Sequence, residues 1–186
     1  MRKLIARVFD YSLDGLLANE GTEYFQYCRD LPDDDAQVER TRDLYERAYA
    51  HIIGRGVYEG MASYFPTAAD HPYADALNSA RKVVFSRTLK TPGWANTTIA
   101  ADDTAEEIDS LRRGGDGYIV VSGGVSFWQS LIRLDLIDEF RITLFPYMAV
   151  EGTRLFDDVG KARHFDMMSS ITYSNGTIEL EYRRPR

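Results

Sequence analysis

The chain has 186 residues, 44% hydrophobic and 12% aromatic, which is enough to enclose a core within one compact domain. Its formal net charge of −7 and pI near 5.0 argue against a general nucleic-acid or membrane-surface binder. A single cysteine, Cys28, excludes an internal disulfide, and His51, His71 and His164 lack metal-ligand spacing.

The segment Met1–Arg7 is too short and too charged for a signal peptide, and no apolar run is long enough to span a bilayer. The expectation is a soluble cytoplasmic protein. Residues 3–9 predict a strand, followed by a polar loop containing Ser12-Leu13-Asp14-Gly15. The acidic cluster Asp33-Asp34-Asp35 starts a helix running to about residue 49, carboxylates being favoured at a helix N-terminus. A short strand at 51–53 and a short helix at 57–62 follow, then a loop-rich stretch over 63–80 with Pro66 and Pro72.

Strands are predicted at 82–86 and 97–100, and Thr104-Ala105-Glu106-Glu107 fits a capping box for a helix to about Arg113. A glycine-rich turn leads into a strand at 118–122, the pair Gly123-Gly124 and a helix from Val125 to Ile132. Residues 140–145 read as a strand. Residues 164–173 and 177–183 form a hairpin around Asn175-Gly176, where both turn positions tolerate positive φ. Alternating strands and helices with a closing hairpin imply a single α/β domain with a mostly parallel sheet.

In such a sheet, ligands lie outside the carboxyl ends of the strands. Four segments sit there: Asp14-Gly15, Gly54-Arg55, Ser86-Arg87-Thr88 and Gly123-Gly124. A strand that ends in glycine and opens a helix presents free N–H groups and the positive end of a helix dipole, which suits a phosphate or pyrophosphate. Ser86 and Arg87 add a hydroxyl and a guanidinium, a pair matched to a phosphate monoester. Taken singly, each segment reads first as an ordinary tight turn, with any arginine in it a solvated surface charge.

The ordered set strand-Ser-Leu-Asp-Gly, strand-Gly-Arg-x-x-Tyr-Glu, strand-Ser-Arg-Thr-Leu and strand-x-Gly-Gly-x-x-x-Trp resembles the dihydrofolate reductase-like superfamily. Within it, the chain is most similar to the branch of the riboflavin-biosynthesis reductase domain. The resemblance runs from Leu4 through Phe156 and into the hairpin. It implies a mostly parallel sheet of about eight strands with flanking helices and an antiparallel C-terminal hairpin. It also implies NADPH as cofactor, with Gly54 and Arg55 at its phosphate region and Ser86 and Arg87 at the adenosine 2′-phosphate. Gly123, Gly124, Val125 and Ser126 would receive the pyrophosphate.

Residues 12–18 match the family loop that closes over nicotinamide and substrate, and Asp14 is either an acceptor for a polar substrate or a turn aspartate. Trp128 stands where relatives often carry a tyrosine lining the nicotinamide pocket, or is a core aromatic. The chain departs from the family at Val57, where a threonine hydroxyl usually meets phosphate. It departs again at residues 150–156, where only Gly152 of a Gly-x-Gly stretch is kept.

Folate reductases hold the pterin with a carboxylate on the first helix. Asp34 is the nearest candidate here, although three aspartates at a helix start read more simply as a cap. The missing GxGxxG disfavours an ordinary Rossmann fold.

The resemblance therefore implies an NADPH-dependent oxidoreductase passing hydride to a C=N or C=O carbon of a small heterocyclic or sugar-derived substrate. The closest reaction type is 5-amino-6-(5-phosphoribosylamino)uracil reduction. The alternatives are a non-catalytic nucleotide-binding module, a folate reductase proper, and a flavin-binding reductase. A homodimer paired through the sheet edge and C-terminal strands is the implied assembly, and the hairpin's apolar residues Ile171, Tyr173, Ile178, Leu180 and Tyr182 suit either a partner or the core.

Overall fold

The computed structural model describes residues 1–100 and 103–185. In chain order its elements begin with β1 (Lys3–Tyr11), β2 (Leu16–Leu17), α1 (Glu23–Asp30), α2 (Asp35–Glu46), β3 (Ala50–Gly54) and α3 (Arg55–Tyr64). They continue through α4 (Ala74–Ser79), β4 (Lys82–Phe85), β5 (Thr97–Ile99), α5 (Thr104–Arg112), β6 (Tyr118–Val121) and α6 (Val125–Arg133). The chain closes with β7 (Glu139–Leu144), β8 (Thr153–Arg154), β9 (Asp166–Thr172) and β10 (Ile178–Arg183).

The strands form one sheet in the order β5-β4-β3-β6-β1-β7-β10-β9, and β2 bridges β1 to β8. Every pairing from β5 to β7 is parallel, whereas β10 joins β7 and β9 antiparallel. Leu4, Ile5 and Ala6 of β1, Ile52 and Ile53 of β3, and Ile119, Val120 and Val121 of β6 are buried because helices cover both faces. On one face α5 and α6 pack Ile108, Leu111, Trp128 and Leu131 onto the strands. On the other, α2, α3 and α4 contribute Leu44, Tyr45, Tyr58 and Leu77. No helix among the described residues is long and apolar enough to cross a membrane.

Two helices were not expected. Thr22 caps α1 by accepting from the Phe25 N–H at 3.2 Å, and α4 lies within the stretch read as loop. The expected helix starts within the Asp33-Asp34-Asp35 cluster, at Asp35, because Asp34 is its cap and accepts from Gln37 N at 3.1 Å. It stops at Glu46 rather than residue 49. Likewise Asp103, not Thr104, caps α5.

The C-terminal hairpin forms as expected, but its buried side is charged. Glu179 and Glu181 are buried while Leu180 and Tyr182 are half-buried on the opposite face. The reason is a run of arginines: buried Arg7 lies 3.3 Å from Glu179, Arg40 reaches Glu179 and Glu181 at 2.6 Å each, and Arg141 lies 3.0 Å from Glu181. Buried charges persist only when paired in this way.

Candidate functional site

β3 and β6 are parallel neighbours, so their carboxyl ends deliver two helix starts side by side. The Gly54 N–H donates to the Gly123 carbonyl at 3.3 Å. A side chain at Gly54 would put its Cβ 2.8 Å from Phe127 Cβ, and one at Gly124, where φ is +98°, would meet Gly54 Cα at 3.5 Å. Glycine is what permits the approach. At the start of α6 the N–H groups of Val125, Ser126 and Phe127 find no acceptor among the described residues, and the first turn carries no acidic side chain. These donors and the helix dipole make the spot ready for an anion.

Arg55 opens α3. Its guanidinium donates to Glu59 at 3.0 Å and to the Thr88 hydroxyl, which ties α3 to the loop after β4. In that loop the Ser86 hydroxyl accepts from Thr88 N at 3.2 Å and Leu89 N at 3.0 Å, shaping the turn. Arg87 is exposed and makes no ion pair among the described residues. Gly54, Arg55, Ser86, Arg87, Gly123, Gly124, Val125 and Ser126 thus gather around adjacent strand ends. Val57 presents methyl groups to Gly123, its Cγ1 standing 3.0 Å from where a Cβ there would be.

Asp14 and Trp128 are placed differently. The Asp14 carboxylate accepts from the Ser12 hydroxyl at 2.6 Å, Ala149 N at 3.0 Å and Val150 N at 2.9 Å. These bonds, the serine's foremost, hold its pKa down at about 2. The residue is a latch between the 12–18 loop and the 147–152 turn. Nearby, β8 pairs with β2 closely enough that a Cβ on Gly152 would stand 2.7 Å from the Leu17 carbonyl oxygen. Trp128 is buried in the α6 face of the core, its indole N–H without a partner among the described residues, and it does not line the cavity described next. Asp34, besides capping α2, accepts from the backbone and hydroxyl of Ser174, so it anchors the C-terminal hairpin turn.

A cavity of about 500 Å³ opens at the carboxyl ends of β1 and β6, on the face covered by α2, α3 and α4. Its walls include the rings of Phe9, Tyr45, Tyr73 and Phe145, and its polar groups include Asp10, Arg29, Asp33, Ser122 and His71. Successive strand residues normally face opposite sides, yet Phe9 and Asp10 both line it. The pairing of β1 with β7 shifts register between Val8 and Tyr11, and Asp10 takes φ +55°. This bulge turns its carboxyl inward. Burial pushes the Asp10 carboxyl up to about 6 despite the pull of Arg7, and pushes the neighbouring Cys28 thiol up to about 12. Cys28 is thereby held in its protonated thiol form at neutral pH.

Asp10 was not singled out from the sequence. The available signal was its place at the end of β1, but the bulge that aims it depends on register with a distant strand. A second cavity, of about 530 Å³, lies over Arg40, Arg47 and Arg141, away from the strand carboxyl ends. Each of these arginines is already paired with a carboxylate of the protein.

This architecture recurs in known proteins. Over 136 residues the chain is 31% identical to the uncharacterized protein YyaP of Bacillus subtilis strain 168, covering 70% of this chain and 71% of that one. A Shewanella sp. PV-4 crystal structure named for riboflavin biosynthesis superposes with a TM-score of 0.78 at 24% identity, covering 99% of both chains. Dihydrofolate reductase from Enterococcus faecalis, solved with NADP(H), superposes with a TM-score of 0.62 at 12% identity, covering 99% of this chain and 97% of that one. The profile of the RibD C-terminal domain family matches residues 2–178. With the family's motifs in order on a dihydrofolate reductase-like sheet, the chain belongs to the RibD C-terminal domain family.

Proposed function

We propose that the chain is an NADPH-dependent reductase acting on a small polar heterocyclic or sugar-derived compound held in the cavity at the ends of β1 and β6. The observation that carries this reading is the meeting of two helix starts at Gly54 and Gly124, beside that cavity. The residues present fit a dinucleotide diphosphate, because the Val125 and Ser126 N–H groups have no acceptor among the described residues and the first turn of α6 carries no acidic side chain. Val125 and Ser126 would hold the diphosphate, and Arg87 with Ser86 the 2′-phosphate. Bound there, NADPH supplies hydride. The chain's own part is to orient the acceptor between aromatic walls and to keep water out. The NADP(H)-bound Enterococcus faecalis enzyme of the same fold supports the choice of cofactor.

Titration with NADPH, followed through the fluorescence of Trp94 and Trp128, should saturate, with NADH binding at least about tenfold more weakly for want of the 2′-phosphate. No response to NADPH at millimolar concentration sinks the proposal. A second reading, a nucleotide-binding module without turnover, is favoured by Val57 in place of a donor and by the engagement of Arg55 with Glu59 and Thr88. Oxidation of bound NADPH by candidate acceptors decides between the two. The exposed methionines Met167 and Met168 on the open edge strand β9 support pairing of two copies there, which sedimentation can measure.

A further inference from the structure

His51 is fully buried and uses both ring nitrogens. Its Nε2 lies 3.1 Å from the Tyr45 carbonyl oxygen, and its Nδ1 lies 2.8 Å from the Ser122 hydroxyl. A carbonyl oxygen can only accept, so Nε2 carries the proton. Burial pushes the ring pKa down to about 4, so at neutral pH Nδ1 is bare. Ser122 must then donate to Nδ1, and a hydroxyl has one proton to give. Ser122 lines the cavity, and what it turns toward a ligand is lone pairs alone. The Asp10 carboxyl faces the same cavity from the neighbouring strand.

We infer that Ser122 is the specificity-determining residue of this cavity, an acceptor-only hydroxyl whose sense is set by the positioning residue His51. It selects a flat ligand that presents an N–H or amino donor to the carboxyl end of β6. A ligand edge carrying only acceptors meets lone pairs and leaves the Ser122 oxygen unpaired, which is how a built polar site rejects the wrong isostere. The inference deepens the reductase reading, on which it rests for taking the cavity as the place of the reducible compound.

The probes are 2-aminopyrimidine and pyrimidine, alike in ring and differing in one amino donor. They are titrated at millimolar concentration into the intact chain and followed by amide ¹H–¹⁵N shifts. 2-Aminopyrimidine should bind about five- to tenfold more tightly, the worth of one hydrogen bond, and move the Ser122 amide. Ser122→Ala should remove that preference. Equal binding of both probes, or a preference that survives S122A, overturns the inference.

A second readout needs no variant: the His51 imidazole should show its proton on Nε2 throughout pH 5–8. A proton on Nδ1 overturns the inference as well. NADPH titration of the same sample keeps the two proposals apart. Failure of NADPH to bind with the probe preference intact sinks the reductase reading alone, and the reverse pattern sinks the role of Ser122 alone.

Discussion

Asp14 and Val150, 136 positions apart, are joined by a 2.9 Å bond from the Val150 N–H to the Asp14 carboxylate. Val150 holds φ +63°, a conformation that a β-branched residue rarely adopts. The carboxylate therefore pins a strained turn to the loop that starts at Ser12. In Asp14→Ala, the Ala149 and Val150 amides should exchange with deuterium at least about tenfold faster, because their acceptor is gone. The folded carboxyl sits below its ordinary value, so its stabilising effect is present above about pH 4 and disappears as pH falls toward 2. Unchanged exchange would remove the latch role.

Gly54→Ala forces a Cβ to within 2.8 Å of Phe127. Overpacking of this kind costs about 1–3 kcal/mol, measurable as a lower urea midpoint at unchanged slope. The same change pushes α3 and α6 apart, so NADPH affinity should fall in parallel. A β-branched residue at Gly124, where φ is +98°, should abolish nucleotide binding with the fold retained.

Asp10 and His51 drive stability in opposite directions with pH. His51 has a folded pKa of about 4 against an ordinary 6.5, so the unfolded chain binds more protons between those values. Stability is lost as pH falls from 6.5 to 4, by about 3 kcal/mol. The Asp10 pKa is raised from 3.8 to about 6, so its burial costs stability as pH rises through that window. Asp10→Asn, which tolerates the same left-handed backbone, should stabilise the protein at pH 7.5 by on the order of 2 kcal/mol. Thermal melts of both proteins from pH 4 to 8 check the sign, and a less stable D10N at pH 7.5 would contradict it.

Lys82 is buried, and its ammonium donates to the carbonyls of Leu77, Asn78 and Ala80 at 2.6, 3.3 and 2.8 Å, closing the C-terminus of α4 over the Trp94 ring. Lys82→Met keeps the stem and removes every donor. Urea unfolding should show a loss of about 2–3 kcal/mol, the cost of stranded carbonyls. A loss below about 0.5 kcal/mol would mean that water replaces the ammonium without penalty.

The central strands were legible because burial on both faces writes β1, β3 and β6 as apolar runs. The glycine pair before α6 marked a helix start for the same local reason. Helix α1 has its own trace in the sequence: Tyr24, Tyr27, Cys28 and Leu31 recur at helical spacing. Other features could not be read locally. Asp10 faces the cavity only because β1 slips against β7, and Ser122 becomes an acceptor only because β3 places His51 beside it. The buried face of β10 looked like its exposed one, since Glu179 and Glu181 are answered by arginines from β1, α2 and β7. Each depends on register between segments far apart in sequence.

The place of β1 in the sheet also sets a timetable for folding. It is the first strand synthesised, yet apart from one bridge to β2 at Tyr11 its partners are β6 and β7, which arrive only at Tyr118 and Glu139. Such non-local pairing makes folding slow, and until those segments emerge β1 is an apolar strand with two bare edges. Asp10 stands at the end of the first of these strands and Ser122 follows the last residue of β6. The cavity between them therefore comes into being only when the middle of the sheet closes, and a chain halted before Tyr118 carries β1 without the partners that shield it.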